Sequence, residues 1–154
     1  MAEWKVNIPK KSITIVGGYL CKKLNKYNLN IINNENYEKT NMVYSLFCAL
    51  DKMNFHEDLI ISYGDIVFEE RVLKKLIESN NPITVVADTS WRDLWELRME
   101  NILDDAETFI FDKNLNILEI GKKPISLEYI KAQYIGLIKI KKEFLDDINL
   151  IYKK

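Results

Sequence analysis

The 154-residue chain has one histidine, His56, and two cysteines, Cys21 and Cys48. A single imidazole excludes a zinc site built from several histidines. It also argues against a Ser-His-Asp triad, because His56 falls in a polar connector ahead of a strand. The cysteines form no C-x-x-C pair. With no apolar leader after Met1, they read as free thiols of a reducing cytoplasm. Glycine (5) and proline (3) are scarce, and no Pro/Gly-rich linker, internal repeat or low-complexity tract divides the sequence. One domain over residues 1–154 is therefore expected, long enough to bury roughly 68–70 % of its unfolded surface. No apolar run reaches the length of a membrane span, so no membrane partner is expected. Charge of one sign is also missing. Lys plus Arg total 22 and Asp plus Glu 23, a net charge of −1, which argues against a nucleic-acid partner.

What is present is an alternation of β-branched runs with amphipathic stretches. Ser12–Val16 reads as a strand closed by Gly17-Gly18, and Tyr19–Tyr27 as helical, with Leu20 and Leu24 on one face. Gly17-Gly18 matches neither G-x-G-x-x-G nor the P-loop, so a tight turn is the reading. Leu29–Ile32 is a second strand and Asn33–Asn36 a polar loop. Thr40-Asn41 then offers a cap to a helix over Met42–Met53, with Val43, Leu46, Phe47 and Leu50 as its apolar stripe.

The most informative run is Leu59-Ile60-Ile61-Ser62-Tyr63-Gly64-Asp65-Ile66-Val67. It predicts a buried strand that delivers a carboxylate to its C-terminal tip, the edge of an open α/β sheet where ligands bind. Asp65 could hold a divalent cation there against substrate phosphates, or simply shape a turn. A helix over Glu70–Ser79 follows, then a strand Ile83–Asp88 that ends in a second acid. Trp91, Trp95, Arg92 and Arg98 occupy an irregular or briefly helical segment. Glu107–Asp112 and Asn116–Ile120 predict a hairpin, Gln133–Ile140 a further strand, and 142–151 a last amphipathic helix. This order predicts a mostly parallel sheet flanked by helices.

The strings Ile15-Val16-Gly17-Gly18-Tyr19, Ile31-Ile32-Asn33-Asn34, Tyr37-Glu38-Lys39-Thr40-Asn41-Met42-Val43-Tyr44-Ser45-Leu46 and Ser62-Tyr63-Gly64-Asp65-Ile66 resemble the nucleotidyltransferase superfamily that makes nucleotide-activated sugars and cholines. Within it, the phosphocholine cytidylyltransferase-like proteins and the bacterial cytidylyltransferases acting on phosphoglutamine for capsule phosphoramidate look most similar. Val86–Trp91, Asp105–Thr108, Leu118–Lys123 and Ala132–Leu137 extend the likeness. It implies a Rossmann-like sheet with a small antiparallel substrate-side hairpin. It also implies cytoplasmic transfer of a nucleotidyl group, from CTP by preference, to a phosphorylated acceptor such as phosphocholine or a phospho-amino acid. Pyrophosphate would leave, and the product would serve cell-surface polysaccharide synthesis.

On this resemblance Asp65 would hold Mg²⁺ and Lys122 would contact the acceptor phosphate, with Lys123 next in register. Glu119 would face the substrate. Asn41 and Ser45 would lie under the nucleobase, unless Asn41 caps its helix and Ser45 turns to a backbone carbonyl. Trp91 and Tyr134 could wall a choline site by attraction of a quaternary ammonium to aromatic faces, or belong to the core with Trp95. Asp88 and Glu107 could bind an amine, and Arg92 and Arg98 a carboxylate. The family's L-x-A-G-x-G-x-R loop and its second metal-binding acid have no counterpart in these residues. An N-terminally truncated, partial fold is thus expected, a Mg²⁺-dependent cytidylyltransferase if completed by that Gly-rich loop, with a non-catalytic remnant or a binding or dimerisation module as the alternative. Loss of a central strand would expose an apolar edge and favour a homo-oligomer.

Overall fold

The computed structural model describes residues 8–53 and 56–153. The described residues form two compact units, one drawn from the ranges 1–59 and 140–154, the other from 60–139.

In the first unit, β1 (Thr14–Gly17) pairs in parallel with β2 (Asn30–Asn33), with Ile15 opposite Ile31 and Val16 opposite Ile32. Parallel neighbours need a crossover. Here it is a 3₁₀ segment, Cys21–Tyr27, rather than the α-helix expected over 19–27. Left-handed residues bracket it, Leu20 (φ 52°) and Asn28 (φ 53°), and Cys21 is its one buried side chain. So short an apolar face gives little reason for an α-helix to form. Gly17 and Gly18 do not need positive φ. They are glycines because neighbours press on them: a Cβ at Gly18 would stand 2.4 Å from the Tyr37 ring, and one at Gly17 2.8 Å from Cys21 Sγ.

Helix α1 (Met42–Leu50) packs on both strands. Its expected stripe is buried at Phe47 and Leu50, half-buried at Leu46 and exposed at Val43. The last helix, α4 (Leu145–Tyr152), follows a 3₁₀ turn at Lys142–Phe144. Its Tyr152 ring stacks on Phe47 at 3.6 Å between centroids.

The second unit is built around β7 (Gln133–Ile140), which lies between β3 (Leu59–Ser62) and β4 (Ile83–Asp88). A central strand is covered on both faces, and Gly136, Leu137, Lys139 and Ile140 of β7 are all buried. Helix α2 (Glu70–Glu78) packs on β4 and buries Leu76. Helix α3 (Trp91–Arg98) turns Trp91 into a cluster with Ala106 and Ile130, with Trp95, Ile102, Leu103 and Leu127 packed around it. Strands β5 (Phe109–Phe111) and β6 (Ile117–Ile120) form the expected antiparallel hairpin, with a register shift at Ile110/Phe111. Parallel and antiparallel pairings thus coexist in a mixed α/β fold. No helix among the described residues is long and apolar enough to cross a membrane.

Candidate functional site

The end of β2 and the start of α1 carry a dense polar network. Asn41 is the N-cap of α1, its Oδ1 accepting from Val43 N–H (3.1 Å) and Tyr44 N–H (3.2 Å). Its backbone carbonyl accepts from Ser45 Oγ at 3.4 Å. The cap and back-bonding arrangement is therefore realised at both residues. Behind them lies Asn34, a residue that sequence reasoning missed. It is 2 % exposed and donates from Nδ2 to Thr40 Oγ1 and Ser45 Oγ, each at 3.0 Å. The signal was there: a short polar side chain directly after a strand, where only a hydrogen-bonded one survives burial. Lys39, Thr40, Asn41, Val43, Tyr44 and Tyr152 line an open groove of about 490 Å³ at this end of the helix.

In the second unit Asp65 stands in the turn after β3, exposed, its carboxylate without a hydrogen bond or ion pair among the described residues. The backbone just before it is well held. Tyr63 N–H donates to Gly136 O at 2.9 Å, and the Tyr63 ring meets Tyr134 edge-on at 5.7 Å. The Tyr134 hydroxyl is buried. Burial, then the adjoining Tyr63, pushes its pKa well above the ordinary phenol value. Asp88, at the tip of β4, accepts from Ser90 N–H at 2.8 Å and so opens α3 through an Asx turn.

The hairpin gathers three more of the expected residues. Lys122 Nζ pairs with Glu119 Oε2, and this lysine holds the Glu119 pKa below the usual carboxylate range against the opposing effect of burial, with a lesser contribution from a Thr108 hydrogen bond. Thr108 Oγ1 accepts from Lys122 N–H at 3.1 Å, while Thr108 N–H donates to Lys122 O at 2.8 Å. Gly121, at φ 82°, leaves its outer face open toward Glu107, whose Oε2 would lie 3.9 Å from a Cβ there. Glu107, Glu119 and Lys122 thus share one end of the hairpin. Lys123 turns elsewhere, donating to Asp104 O.

Two of the expected residues have partners within the protein itself. Trp91 is 4 % exposed and packs in the core, its ring edge-on to Trp95 at 6.2 Å, so it presents no face to a ligand. Arg92, on the exposed side of the same helix, pairs with Glu96 at 2.7 Å, one helical turn away.

Among the described residues no three His, Cys, Asp or Glu side chains form a metal-binding group. A lone carboxylate still suits magnesium, which is commonly held by one or two carboxylates with substrate phosphates and water completing the shell. Asp65, exposed in the turn after β3, has the chemistry for that share.

No family model matches the sequence. The chain is 43 % identical over 150 residues to the CTP:phosphoglutamine cytidylyltransferase of Campylobacter jejuni, covering 92 % of this chain and 59 % of that protein. It therefore spans less than two thirds of that relative's length. Its fold matches the inositol-1-phosphate CTP transferase of T. maritima with a TM-score of 0.59 and 20 % identity, over 85 % of this chain and 51 % of that one. It also matches a Bacillus anthracis protein assigned as a glucose-1-phosphate thymidylyltransferase and solved with sucrose, with a TM-score of 0.60 and 10 % identity, over 88 % and 55 % of the two chains.

Proposed function

We propose that this chain, whose sequence and fold are those of the nucleotidyltransferase superfamily, takes part in cytidylyl transfer from CTP to a phosphorylated amino-acid acceptor of the phosphoglutamine type. The observation that carries the reading is the 43 % identity to a phosphoglutamine cytidylyltransferase along 92 % of the chain.

In this reaction an acceptor phosphate oxygen forms a bond to the α-phosphorus of CTP, and the bond from that phosphorus to pyrophosphate breaks. No protein nucleophile is needed, so the work is positioning and charge compensation. Lys122 supplies a cation at the hairpin turn for the acceptor phosphate. Glu119 sets the direction of that ammonium, and Glu107 offers a carboxylate to the acceptor's amine. Asn41 faces the base from the groove. Asp65 would hold magnesium, which when bound neutralises phosphate charge and orients the phosphates. Reduced Cys21 and Cys48 suit a cytoplasmic reaction.

Titration calorimetry of the protein with CTP, with and without magnesium, tests this. Saturable CTP binding strengthened by magnesium is expected. Absence of CTP binding under both conditions would overturn the reading.

A further inference from the structure

Asn34 holds the β2–α1 connection at three points. Its Oδ1 accepts from Asn36 N–H at 2.9 Å, and its Nδ2 donates to Thr40 Oγ1 and Ser45 Oγ. The Asn36 N–H can only be met by the oxygen, which fixes the orientation of the amide and commits both of its protons. Having accepted from Asn34, the two hydroxyls direct their own protons to backbone carbonyls, Thr40 to Asn36 O (2.9 Å) and Ser45 to Asn41 O. The clamp therefore reaches the N-cap residue of α1.

That cap decides what Asn41 can offer. Backbone N–H groups of Val43 and Tyr44 require an acceptor, so Oδ1 of Asn41 must face the helix. The side chain is left with two N–H donors for a ligand in the groove. A hydroxyl at Ser45, already bonded on both sides, adds nothing for a base edge.

We infer that Asn34 is a positioning residue for base selection: it holds Asn41 so that the groove receives a pyrimidine edge made of acceptors. Cytosine presents acceptors at N3 and O2. Uracil carries a proton on N3, which would face the Asn41 donors without a partner. This rests on the nucleotide reading above and names the part of the site that separates CTP from UTP.

The test is calorimetric titration of the protein and its variants with CTP and with UTP. Unaltered protein should favour CTP. Asn34→Ala should lower that preference about tenfold, equivalent to about 1.4 kcal/mol. A purely structural Asn34 would lower the melting temperature and leave the CTP:UTP ratio alone, because the folded fraction cancels in a ratio. Ser45→Ala breaks only the link to Asn41 and should shift the ratio the same way by less, which keeps the inference testable if Asn34→Ala does not fold. Asn41→Asp retains a capping oxygen but replaces both donors by an acceptor, and should erase the preference.

An unchanged ratio in folded Asn34→Ala, or in Ser45→Ala should the former not fold, overturns this inference while CTP binding by the unaltered protein upholds the parent reading. Failure of the unaltered protein to bind CTP overturns both.

Discussion

The Tyr63 ring fills the space that a side chain at Gly136 would need. A Cβ at position 136 would stand 2.6 Å from Tyr63 Cδ2, and Gly136 itself sits at φ 87°. The same pair shares a backbone hydrogen bond, so the last turn before Asp65 is fixed both by its main chain and by its ring. Gly136→Ala should destabilise the protein by roughly 1–3 kcal/mol through overpacking, with the left-handed backbone adding to the cost. A lower urea midpoint at unchanged slope would show this.

Lys139 is buried at 5 % exposure on the central strand, yet it is not an isolated charge. Its ammonium donates to Ile77 O (2.7 Å) and Ser79 O (2.9 Å), the carbonyls that close α2. Cations are favoured at helix C-termini. Lys139→Met fills the same volume but strands those acceptors, and should cost roughly 1–3 kcal/mol. Chemical denaturation of the variant beside the unaltered protein gives the value.

Acid should weaken the fold through its tethered carboxylates. Asp112 is held below its ordinary 3.8 by the Asn116 side chain and then by backbone N–H groups, and Glu119 below its ordinary 4.5 by Lys122. The folded state then binds fewer protons than the unfolded one, so the stabilisation is present above these ordinary values and is lost as pH falls through the lowered ones. At the alkaline end the sign reverses. Tyr134, raised above its ordinary 10.0, keeps its proton in the folded state, and stability should decline as pH climbs past 10. Melting temperatures across pH 2–11 should trace both limbs, and Glu119→Gln should flatten part of the acid one.

Much of this was legible in the residues themselves. Strands Ile83–Asp88 and Gln133–Ile140 have the bounds that β-branched runs and flanking turn residues predict. The hairpin and the Asn41 cap were equally visible, because local chemistry dictates both. The 3₁₀ crossover was not, since its form depends on how little of it is buried. Trp91 could have been pocket or core on sequence alone, and the Ala106 and Ile130 contacts that decide it come from distant parts of the chain. For Asn34 the polar residue after a strand is visible in the sequence but its burial is not, because its partners lie 6 and 11 residues away, across a turn that sequence patterns do not resolve.

The ion pair at the hairpin makes a further expectation. Lys122→Gln should raise KM for the phosphorylated acceptor with little change in KM for CTP, because it removes a cation from one substrate only. Glu119→Gln leaves the ammonium without its carboxylate partner and should alter the same constant by less. Steady-state kinetics with each substrate varied in turn would separate the two.

The most direct measurement is pyrophosphate release from CTP and phosphoglutamine in the presence of magnesium, with unaltered protein beside Asp65→Asn. At an effective dielectric near 20, one carboxylate about 4 Å from a cationic charge contributes about 4 kcal/mol. The account therefore predicts acceptor-dependent release that falls roughly 10²–10³-fold in the variant while its melting temperature stays put. Equal release by the two proteins would contradict the role given to Asp65, and no acceptor-dependent release from either would contradict cytidylyl transfer itself.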